Sequence, residues 1–149
     1  MMRKLPHAAL ASCLLLSVAC TTTRVPSTAA SREIDGVGAM LSVERFLQAA
    51  NAGDFEAMQG LFGSYDGPIK GDRQELELRM AAIAEILRHD DYRIMGEERE
   101  PGREHPTTRV TVTLTKGGRP IEGVPFLVVR TEAGGWLVEQ VDLAYIMRG

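Results

Sequence analysis

Four residues near the C-terminus hold the chain's best opportunity for chemistry: Trp136, Val138, Gln140 and Asp142. They alternate in sequence, so in an extended strand all four side chains leave the same face. Turned into a pocket, that face sets a carboxylate and an amide beside an indole, and a carboxylate whose pKa is raised by burial can serve as a general base or a hydrogen-bond donor. Turned outward, it leaves Gln140 and Asp142 in water. Alternation alone does not choose between the two.

Other reactive side chains are sparse. Past residue 20 there are two histidines. His89 falls in the last turn of an expected helix, where a cation suits the helix dipole. His89-Asp90-Asp91 makes a poor metal site, because adjacent residues at a helix end point in different directions. His105 sits in the acidic, solvated turn GEEREPGREHP. Tyr65, Tyr92 and Tyr145 are read as packing groups. Met40, Met58, Met80 and Met95 are read as core gap-fillers, with a flexible apolar pocket as the sharper alternative. Ser64 has no nucleophile elbow around it, and no phosphate loop, dinucleotide fingerprint or metal-ligand spacing occurs. No cofactor and no metal are expected, and an enzyme is the less favoured class.

The only cysteines of the 149 residues, Cys13 and Cys20, lie near the N-terminus, so the remainder can form no disulfide and offers no thiolate. The segment MMRKLPHAALASCLLLSVAC has a basic start at Arg3 and Lys4 and an apolar run from Ala8 to Ala19, the pattern of a secretory signal too short to span a membrane. Its end, Ser17-Val18-Ala19-Cys20, resembles a bacterial lipoprotein signal, which implies that Cys20 is the lipidated first residue of the processed chain. Ser17 stands where that signal usually carries an aliphatic residue. Leu10-Ala11-Ser12-Cys13 fits the local pattern better, but cleavage there shortens the hydrophobic run and strands Leu14, Leu15 and Leu16. Cys20 is therefore preferred, and an ordinary cleaved signal with no lipid is the remaining alternative.

Cleavage before Cys20 removes Arg3 and Lys4, leaving 15 basic residues against 20 acidic, a net charge of −5. An acidic surface argues against a nucleic-acid partner; attachment to a membrane would come from the acyl chains. Thr21, rather than Asp, follows the cysteine. By resemblance to enterobacterial sorting rules this implies the periplasmic face of the outer membrane within the cell envelope.

The elements that would position Trp136 to Asp142 follow from periodicity. Residues 1–19 read as signal peptide, residues 20–34 as a flexible tether rich in small and hydroxylated residues, and residues 35–149 as one folded domain. A first helix is expected from Val37 to Ala50, with Val37, Met40, Val43, Leu47 and Ala50 inward. Asn51-Ala52-Gly53 ends it, and Asp54 caps a short second helix carrying Phe55, Met58, Leu61 and Phe62, stopped by Gly63. Asp72 caps a third, with Leu76, Met80, Ile83 and Leu87 inward. After Asp91 the period becomes two. Tyr92–Glu98, Thr107–Lys116, Gly123–Thr131 and Gly135–Ala144 read as strands joined by glycine-rich turns, an antiparallel meander whose third strand, apolar on both faces, is central. The expected fold is α+β: three N-terminal helices packed on the concave face of a curved antiparallel sheet of about four strands.

The helix corner Phe46-Leu47-Gln48-Ala49-Ala50-Asn51-Ala52-Gly53-Asp54, with Ala57-Met58 and Leu61-Phe62 after it, and the late Gly134-Gly135-Trp136-Leu137-Val138 followed by Val141-Asp142-Leu143, resemble the nuclear transport factor 2-like superfamily. That resemblance covers about Val37 to Ala144 and implies a cone, closed by helices, with an internal cavity. Its pocket lining would be Phe46, Met58, Phe62, Trp136, Val138, Gln140 and Asp142. A fold of this kind does not imply an activity. The leading expectation is a non-catalytic, membrane-anchored envelope lipoprotein that binds a small apolar ligand or a protein partner. The alternatives are an isomerase, cyclase or hydrolase using Asp142 with Gln140, and a purely structural interaction module.

Overall fold

The computed structural model describes residues 28–149. The stretch read as a signal peptide and Cys20 lie outside them, as does most of the stretch read as a tether.

Helix α1 spans Thr28–Ala52. It begins nine residues before the expected Val37 and takes in part of the presumed tether, where Ala29, Ala30, Arg32 and Glu33 are sound helix formers. Its buried stripe is Ala39, Val43, Phe46, Leu47 and Ala50 at three- and four-residue steps. Met40, expected inside, is only half-buried. Gly53 ends the helix at φ 67°, and the Gly53 and Asp54 amides donate back to the Ala50 and Ala49 carbonyls, as a left-handed C′ residue permits.

Asp54 then caps α2, Phe55–Leu61, accepting from the Ala57 amide at 3.0 Å. Phe62 leaves the helix in extended conformation and forms an isolated parallel bridge to Val138. Gly63 opens a small hairpin, β1 (Gly63–Ser64) and β2 (Gly67–Pro68). A Cβ at Gly63 would stand 2.8 Å from the Pro68 Cα, so only glycine admits this close backbone approach. Helix α3, Arg73–Leu87, starts at Asp72, whose Oδ1 accepts from the Gln74 and Glu75 amides at 3.0 and 3.1 Å. Met80, Ile83, Ala84 and Leu87 are its buried residues.

The sheet is the expected antiparallel meander, in the order β3-β4-β5-β6: Asp91–Arg99, Thr107–Lys116, Arg119–Arg130 and Trp136–Val141. Val110, Val112 and Leu114 of β4, Val124, Phe126 and Val128 of β5 and Val138 of β6 are fully buried and share one core with the helices. Strand β5 lies between β4 and β6, as expected.

Two features correct the expected architecture. The described residues hold four helices, not three: the last strand stops at Val141, and Leu143–Arg148 forms α4, capped by Asp142 and buried through Ile146. The strand alternation also breaks within β6. Val138 pairs with Val128 and Gln140 with Leu127, so Glu139 is an extra residue in a β-bulge. A bulge inserts one residue and inverts every side chain beyond it.

Candidate functional site

The Glu139 bulge undoes the four-residue face. Trp136 and Val138 lie opposite Arg130 and Val128, on the face that holds the core, whereas Gln140 pairs with Leu127 on the other face and is exposed. Asp142 lies beyond the sheet altogether. Its Oδ1 accepts from the Tyr145 amide at 2.8 Å as the N-cap of α4. The carboxylate and amide expected beside the indole are thus separated from it by a change of face and a change of element.

Trp136 is half-buried and pressed on α1. A Cβ at Gly38 would stand 2.5 Å from its Cδ1, and Ser42 Oγ donates to its carbonyl at 3.0 Å. Val138, Phe46 and Met58 have no exposed surface and belong to the packed core. The Phe46 ring stacks on Phe62 at 5.9 Å between centroids. Phe62, together with Gln140, lines open space.

That space is a hollow of about 400 Å³ between α3, β6 and α4. Helix α3 supplies Arg79, Ala82, Ile83 and Ile86; Glu139, Gln140 and Val141 come from β6, Leu143 from α4, and Phe62 from the end of α2. Its size falls in the lower part of the usual ligand-pocket range, and its mostly apolar wall with a few polar groups is the common pattern of such sites. The Arg79 guanidinium carbon lies 5.5 Å from the Phe62 ring centroid, within cation–π range. Glu139, on the opposite rim, is ion-paired with Arg103 of the β3–β4 loop. A second hollow of about 450 Å³, formed around the β1–β2 hairpin by Gly63, Ser64 and Asp66 to Lys70, shares Phe62 and Glu139 with the first.

The remaining polar groups serve the scaffold. The Tyr92 hydroxyl donates to Glu44 Oε1 at 2.9 Å and accepts from Gln48 at 3.2 Å; burial pushes its pKa up, and the neighbouring Glu44 adds to this. His89 is buried, bonded through Nδ1 to the Leu87 carbonyl at 2.8 Å and edge-on to Tyr92. His105 stacks flat on Tyr65, 3.8 Å between centroids, and so ties the β3–β4 loop to the small hairpin; it is half-buried rather than fully solvated. Arg109 forks onto both oxygens of Glu100 at 2.7 and 2.8 Å; this bond holds the Glu100 carboxyl below the usual carboxylate range. Among the described residues no three His, Cys, Asp or Glu side chains converge as a metal site, and no helix is long and apolar enough to cross a membrane.

No protein-family model, no curated protein and no solved structure matches this chain.

The hollow was not legible in the alternation pattern because it depends on two long-range events: the Glu139 bulge and the return of α4 to α3. Ile83 and Ile86 carried the only local signal, a helix stripe too broad for one sheet contact.

Proposed function

We propose that this protein is a non-catalytic lipoprotein of the bacterial cell envelope, anchored through acylated Cys20, whose nuclear transport factor 2-like domain holds a small apolar ligand. In this reading the helices preceding the sheet close the concave face of a cone, and the hollow at its mouth is the binding site. The observation that carries it is the composition of that hollow. Phe62, Ile83, Ile86, Val141 and Leu143 give it an apolar wall, and the one carboxylate lining it, Glu139, is ion-paired with Arg103. The outer-membrane, periplasmic location rests on Thr21 after the cysteine. The enzymatic alternative is disfavoured because the residue named as its base, Asp142, is engaged in capping α4.

Two measurements test the two halves. Cys20→Ser should shift the protein from the membrane to the soluble fraction, and a variant still processed and membrane-bound like wild type removes the lipoprotein half. Native mass spectrometry of the full-length protein from its own envelope fraction should show a bound small molecule. Ala82→Trp, placed at an exposed position on the rim, should abolish that mass increment. An increment unaffected by the tryptophan places the ligand elsewhere.

A further inference from the structure

We infer that the α3–β6–α4 hollow selects a medium-chain fatty carboxylate, with Arg79 binding the head group and Phe62, Ile83, Ile86 and Leu143 receiving the chain. This rests on the binding hollow proposed above and adds its ligand class. Three observations carry it.

The first is charge. Arg79 lines the hollow, and among the described residues its guanidinium is in no ion pair; its one recorded partner is the Phe62 ring. A ring face takes no N–H donor of the guanidinium in a conventional hydrogen bond, so these remain available to an acceptor that displaces water. Glu139, the one carboxylate lining the hollow, is paired with Arg103. The mouth therefore presents an exposed cation whose fork of donors is open to solvent, a fork that a carboxylate accepts bidentately.

The second is the wall. Apart from Arg79, Glu139 and Gln140, every side chain lining the hollow is hydrocarbon or aromatic. A ligand carrying many hydrogen-bonding groups would leave them unpaired there, at a cost. One polar end and a saturated body match the distribution of partners.

The third is size and access. About 400 Å³ is in the lower part of the range for a ligand site, and the hollow is open along one side, which a flexible chain can follow. Each methylene moved out of water onto this wall is favourable, which makes affinity grow with chain length until the hollow is filled.

The test is methyl NMR of the full-length, isoleucine-labelled protein titrated with sodium decanoate and, separately, with decan-1-ol. Decanoate should shift the Ile83 and Ile86 methyl signals, leave those of Ile94 and Ile121 in place, and bind at least fivefold more tightly than the alcohol. Arg79→Gln should bring the two affinities together, Arg79→Lys should retain part of the preference, and Ala82→Trp should remove both ligands. Equal affinities in wild type, or a preference that survives Arg79→Gln, overturn the carboxylate assignment and leave the apolar hollow standing. Shifts confined to other isoleucines, or no shift with either compound, overturn the hollow as well.

Discussion

Asn51 clasps the backbone of His89 from both sides: its Nδ2 donates to the His89 carbonyl at 2.9 Å, and its Oδ1 accepts from the His89 amide at 3.2 Å. One side chain at the end of α1 thus completes the hydrogen bonding of the chain as it leaves α3. Asn51→Ala should cost about 1 to 2 kcal/mol, since two hydrogen bonds go and the freed groups of a buried residue are only partly rehydrated. Urea unfolding should show a lower midpoint with an unchanged slope. A midpoint equal to wild type would show that water replaces the clasp.

Gly38 is where the backbone of α1 meets the Trp136 ring. A methyl group there meets the indole Cδ1 and Nε1 at 2.5 and 2.6 Å, a clash that must move either the ring or the helix. Gly38→Ala gains helix propensity, about 1 kcal/mol at most, but should still be net destabilising because overpacking costs about 1 to 3 kcal/mol. Trp136 is the only tryptophan, so its emission reports the displacement directly. An unchanged spectrum together with a raised Tm would show that the ring yields freely.

For Asp142 the two roles considered make opposite demands. As the cap of α4 it needs an acceptor oxygen and nothing more, so Asp142→Asn should be near neutral, whereas Asp142→Ala should cost about 0.5 to 2 kcal/mol. A base in a pocket would instead be lost equally in both. Thermal denaturation of the two variants distinguishes these outcomes.

Much of the fold was readable residue by residue. Asp72 with Met80, Ile83 and Leu87 defined α3, and Thr107–Lys116 emerged as a strand with its expected limits, because caps and periods are local physics. The candidate site was not readable in the same way. An extra residue at Glu139 has no signature until β5 is paired beside it, and all positions after it inherit the error. Asp142-Leu143-Ala144-Tyr145 did carry a cap signal, an aspartate before good helix formers, but in so short a segment β-type alternation masked it. The start of α1 was missed because small hydroxylated residues suit both coil and helix, and its context decides.

Glu100 supplies a pH dependence. Its hydrogen bond and charge pairing with Arg109 lower its pKa from the ordinary glutamate value of 4.5. The folded protein therefore binds this proton less readily than the unfolded chain, and the pairing contributes stability above that ordinary value. The contribution is lost as pH falls through the lower folded value. Glu100→Gln should accordingly lower Tm slightly at neutral pH, the site being partly open to solvent, and the difference from wild type should vanish on acidification below 4.5. A difference that grows on acidification would reverse the sign assigned here.

Helix α1 has 25 residues, which at 1.5 Å each makes a rod of about 37 Å. Ten of them precede Gly38, which lies against Trp136. A coil of that length would restrict only distance; a helix also transmits bearing. A pull applied at Thr28 therefore reaches the Gly38–Trp136 contact through a hydrogen-bonded helix rather than through slack chain.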